Sequence, residues 1–353
     1  MIRRIIMDIN DIFNEFGMQT LNDALQSLEN YSLMPTGVPH LDVMYGGFKS
    51  PGLNLLFGPR ETCKSTICLI IAANYLEIIP TGLVIYADFE GNATDPQRAA
   101  NIIGDNNRFV FLSLRVAESA EEAFGRLNQA LVKIQNKYPQ LPILLIIDSI
   151  GAMVTSGELK GNDAIAKVAR VVTTEVKKLM SLLLKPRSMI VAINQHRENI
   201  SMYGKNYYLV GGHALQHLSS RQIRLSAKKT RERDEIIYDV TFHNEKSRPP
   251  EFIDKMVMVL RNTITGEVSI QNAGRAILSG LIRLGKVSQN GPFYQMGDTK
   301  YRGADKFCEE VINVHLQDYY QQILSDYDKM LEGRLIKDTS GDLIIPQLKF
   351  IGD

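Results

Sequence analysis

The most specific chemistry in the chain lies in Gly58-Pro59-Arg60-Glu61-Thr62-Cys63-Lys64-Ser65-Thr66. These residues follow the apolar run Leu53 to Phe57 and open the apolar stretch Ile67 to Leu76. That is the context in which backbone amides and a helix N-terminus cradle phosphates, with Lys64 reaching the terminal phosphates and Ser65 ligating magnesium. The pattern expects glycine where Cys63 stands, because that position commonly takes a backbone shape that a β-carbon disfavours by about 1 kcal/mol. The plainer reading is a strand-to-helix turn with a surface lysine.

Three further groups could complete a nucleotide site. Asp148 follows the apolar run Ile143 to Ile147 and is placed to hold a magnesium shell, or to cap a helix. Glu90, two residues past Asp88, could orient and deprotonate an attacking water, a role typically worth about 10² to 10⁴ in rate, or be a solvated loop acid. The neutral amides Asn194-Gln195 could sense a terminal phosphate without competing for its charge, or cap a strand. The segment after them, His196 to Gly212, reads as a long loop without a clear period. It carries Arg197, Tyr203, Lys205, Tyr207 and Tyr208 and is bounded by Gly211-Gly212. Cations beside aromatics are the ingredients of single-strand nucleic-acid binding, and a lid or subunit contact would use the same residue types. A second loop, Thr155 to Asp163, holds Lys160. Farther on, Arg221, Arg224, Lys228, Lys229, Arg231 and Arg233 form a basic concentration, as a solvated face also would.

These residues need elements to position them. Leu53 to Phe57, Leu83 to Ala87, Ile143 to Ile147 and Met189 to Ile193 are continuous apolar runs of strand length, separated by stretches long enough for crossover helices, such as Ala164 to Leu184. This predicts an α/β protein with a mostly parallel sheet covered on both faces. Each run ends in polar groups, and in open α/β sheets ligands bind at the carboxyl edge. Arg221 to Leu225, Ile236 to Phe242 and Lys255 to Leu260 read as β segments closing one side of the sheet. After about Gly266 comes a smaller unit, with Asn290-Gly291 as a hairpin turn and a helix from Gly303. At the amino end, Ile9, Ile12, Phe13 and Phe16 have the spacing of a short amphipathic helix, packed on its own domain or donated to a neighbouring subunit.

Composition bounds the rest. In 353 residues, 40 Lys and Arg oppose 39 Asp and Glu, a net charge of +1, so any binding to polyanions must be local. Cys63, Cys68 and Cys308 make no disulfide framework and no zinc pair, which fits a reducing cytoplasm. The first residues meet Asp8 before they build a secretory apolar stretch, and no run approaches the roughly 18 apolar residues that span a bilayer. The expectation is no membrane partner.

Taken in order, Thr36-Gly37, Leu41-Asp42, Gly58 to Thr66, Asp88-Phe89-Glu90, Asp95-Pro96, Leu145 to Ser149, Asn194-Gln195, Gly211 to Leu215 and Glu245-Lys246-Ser247-Arg248 resemble the RecA recombinase family, especially its phage-encoded UvsX-like branch. The resemblance implies a RecA-like ATPase core over residues 31–265 with DNA-binding loops. It implies a 1–30 segment for subunit contact, a small α/β domain at 266–335 and a tail at 336–353. It further implies an ATP- and Mg²⁺-dependent, DNA-stimulated ATPase that forms helical filaments on single-stranded DNA and pairs them with duplex DNA, aided by single-strand-binding and mediator proteins. On that pattern Lys64 and Ser65 bind phosphate and magnesium, Asp148 supports the metal, Glu90 activates water and Gln195 relays nucleotide state. Lys246 and Arg248 reach a neighbour's phosphates. Arg98 stands near the family's adenine-stacking aromatic, and His217 where bacterial members commonly have an aromatic. A RecA-like ring helicase or translocase shares the nucleotide residues, and a nucleotide-binding scaffold silenced by Cys63 is the alternative outside catalysis.

Overall fold

The computed structural model describes residues 31–90, 95–104, 106–113, 119–154, 165–198, 207–209, 212–247 and 252–352. The N-terminal segment 1–30 and the loop 155–163 lie outside them. In chain order the strands are β1 (Ser32–Met34), β2 (Phe48–Ser50), β3 (Leu53–Gly58), β4 (Leu83–Asp88), β5 (Phe109–Ser113), β6 (Ile143–Asp148), β7 (Met189–Glu198), β8 (Tyr207–Leu209), β9 (Arg221–Glu232), β10 (Glu235–Ser247), β11 (Lys255–Thr263), β12 (Val268–Ile270), β13 (Ser288–Asn290), β14 (Phe293–Met296) and β15 (Thr299–Arg302). The α-helices are α1 (Pro39–Tyr45), α2 (Lys64–Ile78), α3 (Pro96–Ile103), α4 (Ala120–Lys137), α5 (Ile165–Leu182), α6 (Gly212–Leu218), α7 (Ala273–Arg283), α8 (Ala304–Phe307) and α9 (Leu316–Met330).

The central sheet runs β12-β11-β10-β9-β3-β7-β6-β4-β5, with β8 added to β7. From β9 to β5 every pairing is parallel. β10, β11 and β12 extend the sheet antiparallel beyond β9, which makes it mixed. The apolar runs are buried on both faces because successive side chains of a strand point to opposite sides. Leu53, Leu55, Phe57, Ile85, Ala87, Ile143, Leu145 and Ile147 join a cluster with α4 and α5. Leu56, Val84, Tyr86, Leu144 and Ile146 join the other, with α1, α2, α7 and α9. The helices obey local rules. Ser119 and Glu122 close a capping box on α4. The Asp95 side chain accepts from the Gln97 amide, with Pro96 in the first turn of α3.

Beyond Gly266 the packing is continuous with the core. β12 joins the central sheet, α7 and α9 bury Ile277, Leu281, Ile323 and Leu324 in the cluster that holds α2, and Ile351 bridges back to Ile270. The smaller three-stranded sheet β13-β14-β15 turns at Gly291, as the Asn290-Gly291 pair predicts. Between Gly303 and α9 the helical path passes through a π-helical turn at Cys308–Ile312.

Candidate nucleotide site

Strands β3, β7, β6 and β4 lie side by side, and the polar groups at the carboxyl ends of β3, β6 and β4 and partway along β7 meet at one edge. Gly58 pairs with Gln195, and Asp88 with Asp148. From β3 the chain enters the phosphate loop at Gly58, where a β-carbon would stand 2.2 Å from the Leu225 carbonyl oxygen of β9. Only glycine allows the loop to leave so close to that strand. Cys63, at φ 61° and ψ 17°, occupies the left-handed region and is the N-cap of α2. The shape for which the pattern expects glycine is present with a cysteine in it.

A cavity of about 510 Å³ opens here, lined among others by Arg60 to Thr66, Glu90, Arg98, Asp148 and Gln195. The Lys64 ammonium donates to the Gly58 and Pro59 carbonyls at 3.3 and 2.5 Å and to Thr62 Oγ1 at 2.9 Å. Burial lowers its pKa to about 8, against the pull of Asp148 and Glu90. Ser65 Oγ donates to Asp148 Oδ2 at 2.6 Å, and Tyr86 OH donates to the same oxygen at 2.5 Å. Burial pushes the Asp148 carboxyl up to about 6, opposed by those two hydrogen bonds. Among the described residues no group of three or more His, Cys, Asp or Glu could hold a metal ion. The Ser65 hydroxyl beside the buried Asp148 carboxylate still suits Mg²⁺, a hard ion usually held through one or two protein carboxylates plus substrate phosphates and water.

Glu90 and Gln195, far apart in sequence, meet. Glu90 Oε1 accepts from Gln195 Nε2 at 2.6 Å and from Ser149 Oγ at 2.7 Å. Gln195 Oε1 accepts from Arg60 Nε at 3.5 Å, which joins the Glu90 carboxylate to the phosphate loop through one amide. Arg98 Nη2 donates to Thr66 Oγ1 at 2.5 Å, so the guanidinium is tied to the start of α2. Glu61 forms an ion pair with Lys229 of β9 at 2.9 Å.

The segment after Gln195 differs from the expected structureless loop. β7 runs on to Glu198 and pairs antiparallel with β8, with His196 opposite Leu209, Arg197 opposite Tyr208 and Glu198 opposite Tyr207. Arg197, Tyr207 and Tyr208 therefore lie on the two legs of a hairpin, and Gly212 opens α6 directly after it. Lys160, Tyr203, Lys205, Gly211 and Arg248 lie outside the described residues. Lys246 is engaged within its own subunit, where it donates to carbonyls at the end of α6. The basic concentration on β9 is not one solvated face. Arg221 is 1% exposed with its guanidinium over the Tyr45 ring, and Arg224 is paired with Glu245.

Sequence reasoning missed Tyr86 and Ser149, the partners of Asp148 and Glu90, and also Ile193, Tyr238 and Asn262, which line the cavity. Tyr238 and Asn262 come from β10 and β11, far in the chain from the phosphate loop and its carboxylates. No spacing could have announced them.

The parallel sheet, the phosphate loop and the carboxylates converging on it define a P-loop ATPase with a RecA-like core. The chain matches the RecA N-terminal domain over residues 2–249. It is 28% identical over 323 residues to Protein RecA of Caldanaerobacter subterraneus subsp. tengcongensis, covering 86% of this chain and 88% of that relative. To Protein RecA of Clostridium botulinum (strain Alaska E43 / Type E3) it is 26% identical over 333 residues, covering 90% and 87%. To Protein RecA of Mycoplasma mobile it is 30% identical over 234 residues, covering 65% and 66%. The chain belongs to the RecA family, and it is a DNA-dependent ATPase of the recombinase class. These three relatives are bacterial, which supports the family and not its phage-encoded branch.

Proposed function

We propose that the chain hydrolyses ATP with Mg²⁺ while polymerised on single-stranded DNA, and that duplex DNA is its second substrate. The observation that carries this reading is the convergence of Lys64, Ser65, Asp148, Glu90 and Gln195 on one cavity from four adjacent strands and the segments that follow them. In this assignment Gly58 to Thr66 enclose the phosphates, and Lys64 exchanges its loop carbonyls for them. Ser65 and Asp148 would hold Mg²⁺, which supplies charge neutralisation at the phosphates. Glu90 takes the proton of the attacking water. Gln195, already bonded to Glu90, passes the state of the site to the β7–β8 hairpin. Arg98 borders the base end of the cavity.

Arg197, Tyr203, Lys205, Tyr207, Tyr208, Gly211 and Gly212, with Lys160 from the second loop, form the DNA-binding set. Lys246 and Arg248 act on the nucleotide of a neighbouring subunit, which the 1–30 segment contacts. Residues 31–265 are the ATPase core, 266–335 an accessory unit and 336–353 its tail. Single-strand-binding and mediator proteins complete the partners, and the cytoplasm is the site of action. Affiliation with the phage branch enters this reading only through Cys63. Among the described residues no helix is long and apolar enough to cross a membrane.

The test is ATP hydrolysis with and without single-stranded DNA at low salt, in the parent chain and in Lys64→Ala. Stimulation in the parent and silence in the variant are expected. A parent whose turnover ignores DNA contradicts the reading.

A further inference from the structure

Lys246 lies where two strands fall out of step. The β9–β10 register shifts between Asn244 and Lys246, and the ladder resumes with Lys246 opposite Gln222. A bulge of this kind bends its strand and re-aims the side chains beside it. Glu245 takes the Arg224 guanidinium at 2.6 Å, and Lys246 turns to α6. Its Nζ donates to the carbonyl oxygens of Gln216 at 2.7 Å, Ser219 at 3.2 Å and His217 at 3.3 Å. These carbonyls sit at and just past the carboxyl end of α6, where the helix's own amides no longer reach and the helix dipole favours a cation. Gln222 Nε2 and Ser219 Oγ also donate to Gln216 O, at 2.6 and 2.8 Å. A lysine that places all three donors on one helix end holds that end in place.

What it holds is the exit of the hairpin. α6 begins at Gly212, just beyond the end of β8 at Leu209, and Leu209 and Leu215 are buried in the same apolar cluster. Fixing the far end of a helix this short fixes the leg that enters it. Gln195 and Glu90 anchor the other leg, where β7 leaves the nucleotide site.

We propose that Lys246 is a positioning residue for the β7–β8 hairpin within its own subunit, acting by clamping the carboxyl end of α6. Serving a neighbour's phosphate as well requires the ammonium to let go of α6. The part of the proposal that concerns DNA rests on the hairpin being the DNA-binding element; the clamp itself does not.

Hydrogen exchange of the full chain, without nucleotide or DNA, reads the clamp at the amides of residues 215–219. Lys246→Ala is expected to speed exchange there about tenfold, the factor carried by a charge-assisted hydrogen bond. Lys246→Arg, which keeps donors for the carbonyls, is expected to restore most of it, while the amides of β3 stay as protected as in the parent. Unchanged exchange in Lys246→Ala overturns the proposal. Single-strand affinity, measured without nucleotide, should also fall severalfold in Lys246→Ala and recover in Lys246→Arg. Faster exchange with unchanged affinity overturns the positioning role, provided that Arg197→Ala does weaken binding. If Arg197→Ala and Tyr208→Ala leave affinity unchanged as well, the assignment of DNA to the hairpin has failed instead.

Discussion

Cys63 combines a left-handed backbone with a thiol in the nucleotide cavity. Burial pushes that thiol up to about 12, against the pull of Arg98 and Lys64, so it stays protonated at neutral pH. Alkylation by iodoacetamide at pH 7.5 should therefore be far slower at Cys63 than at a free cysteine, and comparable rates would contradict its placement. The backbone cost of about 1 kcal/mol is borne by the fold rather than by the reaction. Cys63→Gly is therefore expected to change the rate of DNA-stimulated hydrolysis by less than about tenfold, whereas Lys64→Ala abolishes it. A parent chain as silent as Lys64→Ala, revived by Cys63→Gly, would favour a scaffold. Glu90 has its two protein donors on Oε1, and in the proposed mechanism Oε2 takes the proton from water. Glu90→Gln should lower turnover by about 10² to 10⁴ while nucleotide binding, read by fluorescence of a labelled analogue, stays near that of the parent. Undiminished turnover would remove Glu90 from the reaction.

At the scale of elements, the sheet was readable because its parallel strands are buried on both faces and write themselves as unbroken apolar runs. The polar residues of the site edge were readable for the same reason: after Ile147 and Ile193, Asp148 and Asn194 are the first polar residues to interrupt an apolar run, though both are buried and β7 continues to Glu198. The hairpin was not readable. Each leg contributes only three paired residues, too few for period-two alternation to stand out among the tyrosines and charges of 196–212. Nor was the continuity across Gly266, because β12 is a three-residue strand whose place depends on β11 and on Ile351. Helix α1 gives a test of packing away from the site. His40 is 1% exposed, and burial lowers its pKa to about 3, with the Asn272 side chain opposing the shift. Above pH 6.5 folded and unfolded states both hold it neutral. As pH falls from 6.5 toward 3, the unfolded chain takes a proton that the folded chain refuses, and stability is lost at up to about 1.4 kcal/mol per pH unit. The difference in unfolding free energy between the parent and His40→Leu should change with this slope across that window. Parallel curves would show that His40 is not held neutral by the fold.

For the whole molecule, a net charge of +1 excludes a strongly basic clamp acting alone. In the proposed filament, affinity comes from a modest site repeated along a strand, which is how a polymer binds. Each phosphate contact carries a salt slope of about −0.7 on single strands, so Arg197→Ala should flatten the logarithmic salt dependence of binding by about that amount per subunit. An unchanged slope would take Arg197 off the phosphate backbone. The same ATP core could also drive a ring, and residues around the phosphate loop do not distinguish ring from filament. Electron microscopy of the chain with single-stranded DNA and a slowly hydrolysed ATP analogue does. Helical filaments that require both the DNA and the nucleotide are expected; closed rings, or particles indifferent to DNA, would contradict a filament-forming recombinase.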